Sequence, residues 1–586
     1  YVLYLDYKYH LDHIPNRLIE YFLDTYSPQS PLPRKLRYRW LLKLGKNQNW
    51  PLYLKHFQPG QYRSKTLQCY AFKAEMAEKG LSDTLTQTMQ AFWKKHLLLP
   101  NTCQSVTQHL RQQQKITGPQ IWQKIQRAMH QGHLKTARTL GRDLSKSDRA
   151  QLATWIDYHH HPLKIRKGLP RHLNPVVRQY IFKHVIQRAS YHQPEKALHW
   201  LNQQYQQYGL SQKALQKLQT RLSLRLAYRH HPKAQDYLEQ IDHTSKSVDA
   251  LIWEMRVAIR NADWRHYLNL YERLDQNIQR EKPWQYWFAR ALDALNQDPQ
   301  AQIIWQRLAQ ERSYYGFLAA DQLGQAYQFN AVSSQPQSLQ TLKQKYPQID
   351  IMNELKAIDW QLSFKREWYH LLDQLNEQDF EAVAHLMSQW QHHALAIQTV
   401  SKVKKWNDLA LRFPTPYKQP VLKAADSQQV DPAWVYGVMR RESAFSPDIS
   451  SPAGAIGLMQ LLPRTARYIA RQNGFDQRTS KRLTQPESNI TLGTAYLKYL
   501  MDKYNGNRVL ATAAYNAGPK RIAAWRPESS QAMPADRWIE SIPFKETRGY
   551  VKAVLEYTTI FKSTLQGQYD RLHSVMPAIP GHAPPS

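Results

Sequence analysis

The chain has 586 residues, and 79 lysines and arginines against 46 aspartates and glutamates leave a formal net charge of +33. That length excludes one compact core and predicts about two to four domains of roughly 100–200 residues each. No run approaches the ~18 apolar residues of a membrane-spanning helix, and the charge points to polyanionic partners: nucleic acid, an anionic membrane surface or an anionic cell-wall polymer. A basic surface kept for solubility is the plain alternative.

Tyr1 follows no methionine and no basic-plus-apolar leader, which reads as a processed or trimmed chain. From there to about residue 340, segments with apolar residues at helical spacing alternate with breaks such as "SPQSPLP", "HHHPLK" and "RHHPKAQ". In "VDALIWEMRVAIRNADW", Ala250, Ile252, Met255, Val257, Ala258 and Ile259 leave the other side to charged residues. Alternating β-branched stretches are almost absent, so the expectation is an all-α array of helix pairs in the manner of a solenoid, without a strict repeat. "KALHWLNQQYQQYGLSQKALQKL" and "AQIIWQRLAQERSYYGFLAADQLG" resemble degenerate repeats. Cys69 in "LQCYAF" and Cys103 in "NTCQSV" are the only cysteines. They allow one disulfide in an oxidising compartment or two buried thiols in a reducing one. The histidines at 159–161, 230–231 and 392–393 lack an H-E-x-x-H arrangement and are expected in surface loops, with no metal site.

The strings "SSQPQSLQ" and "LRFPTPYKQP" interrupt the pattern, the second with three prolines. They divide the chain into 1–340, 341–415 and 416–586, the last carrying three strings with chemical content. In "DPAWVYGVMRRESAF", Asp431 is placed to cap a helix and Pro432 to begin it. Val435, Val438 and Met439 precede Glu442 by seven, four and three residues, which puts the acid on the apolar stripe rather than the arginine face. A desolvated carboxylate has a raised pKa, as a general acid near neutral pH requires; a buried glutamate neutralised by Arg440, Arg441 or a distant arginine is the competing reading. In "SPAGAIGLMQLLPRTA", Gly454 and Gly457 allow a tight turn before a helix at Pro463, but the spacing is neither a P-loop nor a G-x-S-x-G elbow. "ATAAYNAGPKRIAAW" sets Tyr515 and Asn516 at a helix end that stops at Gly518 and restarts at Pro519.

"ESAFSPDISSPAGAIGLMQLLPRTA", "NITLGTAYLKYL", "AAYNAGP" and "ESIPFKETRGYVKAVLEY", in that order, resemble the catalytic domain of the soluble lytic murein transglycosylases, relatives of goose-type lysozyme. "ERSYYGFLAADQLG" is similar to that family's linker region. The resemblance implies a ring-like α-superhelical body over 1–340, a small helical linker domain over 341–415 and a lysozyme-like domain over 416–586. It implies a disulfide between Cys69 and Cys103, a periplasmic monomer whose leader is absent from this chain, and no cofactor. Peptidoglycan strands and muropeptides are the implied partners, other cell-wall enzymes further ones, and nucleic acid none. Glu442 would be the catalytic acid and base, with Ser451, Gln460, Tyr515, Asn516 and Glu546 lining a glycan groove. Leu462 stands where close members of the family carry methionine, which keeps an apolar wall without a sulfur.

Glycoside hydrolysis commonly uses two carboxylates, and the groove strings offer no obvious second acid beside Glu442, since Asp448 falls in a turn. A lytic transglycosylase needs one. The implied reaction cleaves the β-1,4 bond between N-acetylmuramic acid and N-acetylglucosamine and closes the muramic O6 onto C1. A hydrolytic muramidase and a non-catalytic glycan-binding scaffold are the alternatives; a nucleic-acid-binding solenoid would need a code-like repeat, and none is visible.

Overall fold

The computed structural model describes residues 1–26, 30–242, 246–296, 298–332, 338–528 and 531–581. Most of the break in "SSQPQSLQ", part of that in "SPQSPLP" and the end of the proline-rich tail lie outside them. Among the described residues the elements are helices, and β pairing is confined to isolated antiparallel bridges, including Ser450–Ile456 and Ile456–Leu461. The chain is all-α, as its apolar spacing indicates.

Contacts group the chain into two compact units, and the grouping does not follow chain order. The first takes Tyr1–Leu218 and Pro347–Gln374; the second takes Gln219–Tyr346 and Leu375–Ser586. In the first, helices pack mainly on their neighbours in sequence, the arrangement expected when each helix pair buries one face against the next. Cys69, in the helix Lys65–Lys79, is joined to Cys103, in a single 3-10 turn, by a disulfide that closes a separation of 34 residues. Cross-linking restricts the unfolded chain more than the folded one. Replacing both buried cysteines by alanine is expected to lower the stability of this unit by about 2–4 kcal/mol, read from chemical denaturation. A loss below about 1 kcal/mol would contradict that.

The second unit holds the helices that build the site: α1 (Val248–Asn261), α2 (Lys282–Ala294), α3 (Tyr314–Leu323), α4 (Leu409–Arg412), α5 (Lys418–Gln428), α6 (Pro432–Glu442), α7 (Pro463–Gln472), α8 (Pro486–Lys503), α9 (Arg508–Ala517), α10 (Ala535–Ser541) and α11 (Lys545–Gln566). One apolar core runs through it, including Trp287, Trp305, Trp434 and Trp538, so these large side chains serve packing. Of the three prolines in "LRFPTPYKQP", Pro414 and Pro416 lie between α4 and α5. Pro420 sits in the first turn of α5, where its missing N–H has no helical partner to lose.

Helix α6 begins as its sequence indicates: Asp431 Oδ1 accepts the Ala433 N–H at 2.9 Å and Pro432 occupies the first turn. It packs closely along α11 because Gly437 has no side chain. A Cβ there would stand 2.7 Å from Thr558 Oγ1 and 3.1 Å from the Val554 carbonyl. Gly437→Val must push the two helices apart, and we expect a destabilisation of about 1–3 kcal/mol with loss of activity, measured by urea unfolding and turnover.

Candidate active site

Three pieces of backbone converge on the end of α6. The first is the turn 448–461. Gly457 there has φ +84°, and a Cβ on it would lie 2.2 Å from the Leu483 carbonyl and 2.3 Å from Asn489 Nδ2. Only glycine fits both the left-handed backbone and that contact. Asn489, on α8, ties the turn down: its Oδ1 accepts Met459 N–H at 2.7 Å, and its Nδ2 donates to the Ile456 and Leu483 carbonyls. Ser451 Oγ accepts the Ala455 N–H at 3.0 Å, and Gln460 Nε2 donates to the carbonyls of Ile449 at 3.1 Å and Gly457 at 2.8 Å. Asp448 is exposed in the same turn and accepts the Ser446 hydroxyl.

The second piece is the end of α9. Alanines 511, 513 and 514 are fully buried and let this helix approach its neighbours, and the helix stops at Gly518 before a new one starts at Pro519. Tyr515 donates its hydroxyl to the Met459 carbonyl at 2.7 Å, joining α9 to the turn. Asn516 Oδ1 accepts Thr547 Oγ1–H at 2.7 Å, joining α9 to α11. The third is the start of α11, where Glu546 is exposed and Tyr550, one turn on, is buried.

Glu442 is the last residue of α6 and is partly buried. Burial raises its pKa to about 7, and the charge of Glu546 pushes the same way, while Tyr550 and Arg441 pull against them. Its position at the negative end of the helix dipole also disfavours the charged form. Tyr550 meets the carboxyl in a looser contact than a hydrogen bond of strict geometry. Desolvation and the neighbouring Glu442 hold the Tyr515 and Tyr550 phenols far above the usual tyrosine value, so both remain protonated donors. The result is a carboxyl half-protonated near neutrality between two phenols.

The competing reading of Glu442 as an acid neutralised by Arg440 fails on geometry. Arg440 is buried, donates Nε–H to the Arg412 carbonyl at 2.7 Å and lies over the rings of Phe413 and Tyr557. Aromatic faces take Arg440 inside, while Arg441 stays exposed. Tyr550 and Asn489 were not singled out from sequence. Tyr550 had a signal, since it follows Glu546 by four residues and so shares its helix face.

The histidine clusters are less exposed than expected. His159 is packed at the end of its helix with Nδ1 2.9 Å from His184 Nε2, and His393 is also buried, whereas His160 and His161 are exposed. Glu239, Glu254 and His266 bring three possible metal ligands together, but Glu254 already pairs with Lys246 at 2.6 Å.

Comparison with known proteins agrees with this geometry. Residues 419–536 match the transglycosylase SLT domain, 342–409 the soluble lytic murein transglycosylase L domain, and 541–569 the soluble lytic transglycosylase helical domain. The soluble lytic murein transglycosylase of Salmonella typhimurium is 26% identical over 580 residues, covering 97% of this chain and 88% of that protein. A putative soluble lytic murein transglycosylase of Haemophilus influenzae is 35% identical over 305 residues, 52% of this chain and 50% of its own length. Among solved structures, an inactive variant of the lytic transglycosylase Slt of Pseudomonas aeruginosa has a TM-score of 0.86 at 28% identity, covering 98% of this chain and 92% of its own. With the site geometry, these likenesses make the chain similar, over nearly its whole length, to the soluble lytic murein transglycosylases.

Proposed function

We propose that this chain is a peptidoglycan lytic transglycosylase in which Glu442 acts first as general acid and then as general base. One observation carries the reading: Glu442 is held near pKa 7 by burial at a helix end, flanked by phenols. In its neutral form Glu442 protonates the glycosidic oxygen between N-acetylmuramic acid and N-acetylglucosamine. The substrate's own acetamide stabilises the positive charge at C1, as in substrate-assisted glycosidases. The Glu442 carboxylate then takes the proton of the muramic O6 hydroxyl, which closes onto C1. Holding O6 beside C1 makes this step intramolecular.

Ser451, Gln460, Tyr515, Asn516 and Glu546 are assigned to the glycan wall. Gln460 and Asn516 each use one end of the amide to hold the fold, which leaves Gln460 Oε1 and Asn516 Nδ2 for sugar hydroxyls. Residues 416–586 are the proposed catalytic domain, 341–415 the linker and 1–340 the superhelical body. The Cys69–Cys103 disulfide supports an oxidising compartment, here the periplasm. We assign a monomer acting on glycan strands, with other cell-wall enzymes rather than nucleic acid as further partners. The net charge raises the local concentration of carboxylate-bearing wall polymer.

Digestion of purified sacculi in heavy-oxygen water separates this reading from a muramidase. Products without heavy oxygen are expected; heavy oxygen at the new sugar end would make the chain a hydrolase. Tyr550→Phe gives a further check. The hydroxyl holds the Glu442 pKa down, so its loss is expected to move the alkaline limb of the rate up by as much as about one pH unit. An unchanged limb would remove Tyr550 from the site.

A further inference from the structure

The second unit contains a cavity of about 710 Å³ that none of the groove residues lines. Its volume falls in the range of small-molecule sites. Two arginines in its wall are nearly inaccessible to water: Arg412 is 9% exposed and the side chain of Arg312 6%. Neither is fully satisfied by the protein. Arg412 Nη1 donates to Ser401 Oγ at 2.9 Å, Arg312 Nη2 donates to the Trp406 carbonyl, and the Nε of each finds no partner.

The charges around them do not balance. Burial, then the nearby charges of Arg440 and Arg312, push Arg412 down to about 10, and burial lowers Arg312 as well. The acid set among them, Glu556, lies 3.8 Å from Arg312 Nη1. Burial holds its pKa above the ordinary range, and its other oxygen accepts the Tyr314 N–H at 3.1 Å. The remaining acids of the wall have partners of their own. Glu311 pairs with Lys282, Glu381 faces Lys405 at 4.0 Å, and Asp408 caps α4 through the Leu411 N–H. The two wall arginines, with Arg440 behind them, thus form a weakly compensated positive cluster that a bound anion would relieve. Trp406 adds a half-exposed indole with the Arg412 guanidinium 4.6 Å from its ring centre.

We propose that this cavity binds a small polyanion carrying two or more carboxylate or phosphate groups, held by the forks of Arg312 and Arg412 with the Trp406 indole as its apolar wall. A guanidinium fork matches both groups in paired hydrogen bonds, so the shared chemistry is the oxyanion. Lys404 and Lys405 at the rim add attraction that falls with salt. The site is independent of the reaction at Glu442.

The test uses the full chain at constant ionic strength, with citrate as the carboxylate probe, pyrophosphate as the phosphate probe and chloride as control. Calorimetric titration and thermal unfolding are run on the wild type, on Arg412→Gln and on the rim variant Lys404→Ala/Lys405→Ala. Saturable binding with a raised Tm is expected for at least one probe, weakened about tenfold or more in Arg412→Gln and more modestly in the rim variant. Clearing of sacculi by both variants should be unchanged without the probe. The probe that binds identifies the source as a carboxylate ligand or a phosphate ester. Absence of saturable binding beyond chloride, or wild-type affinity in both variants, overturns the proposal. If Arg412→Gln fails to fold, the rim variant decides alone.

Discussion

Glu442→Gln is expected to remove turnover of sacculi while leaving the fold and glycan binding in place. The amide keeps the shape of the side chain but can neither give a proton to the glycosidic oxygen nor take one from O6. General acid–base catalysis is worth on the order of 10²–10⁴-fold, and in the proposed mechanism one residue serves both steps, so the loss should reach or exceed the top of that range. The wild-type pH profile carries the same content. In the proposed mechanism the reaction starts from neutral Glu442, whose pKa burial raises to about 7. The rate limb governed by this group should therefore fall about tenfold per unit as pH rises above 7. A rate that climbs steadily through that range would mean that the carboxylate, not the acid, begins the reaction.

The second large effect is expected at Glu540, outside the groove. Its side chain is 1% exposed and receives Lys552 Nζ at 2.5 Å, Arg256 Nε at 3.2 Å and the Tyr315 hydroxyl at 2.7 Å, with Arg548 Nε at 3.9 Å. Trp287 Nε1 donates to it at 3.3 Å. One carboxylate thus ties α1, α2 and α3 to α10 and to α11, the helix that presents Glu546 and Tyr550. Glu540→Ala leaves three cations buried without a counter-charge, and a cost of about 3–5 kcal/mol is expected in urea unfolding. Burial alone would raise the Glu540 pKa, but the surrounding cations win and hold it well below the carboxylate range. A lowered folded pKa means that the stabilisation is present above the ordinary value of 4.5 and is lost as pH falls below it. The wild type should lose stability in that acid window by more than Glu540→Ala does. Equal losses, or a cost under about 1 kcal/mol at neutral pH, would count against this role.

The site was legible where its determinants are close in the chain. Asp431, Pro432 and the apolar spacing up to Glu442 sit within one helix, so its start, its buried stripe and the desolvation of its last acid follow from local rules. The glycine turn and the stop at Gly518 are legible for the same reason. Arg440 was not, because Phe413 and Tyr557, which receive it, come from other segments and nothing in "MRRES" announces them. Glu540 belongs to the same class: Arg256 and Tyr315 lie more than 200 positions away in the chain. The grouping of Pro347–Gln374 with the first unit also crosses the chain order that composition breaks follow.

The most direct measurement is the mass of the soluble products released from purified sacculi by the wild type and by Glu442→Gln. Muropeptides lighter by one water than their hydrolysed counterparts, formed by the wild type and absent with the variant, are the expected result. Full-mass products with reducing ends, or equal release by both proteins, would contradict the assignment of an anhydro-forming reaction to Glu442.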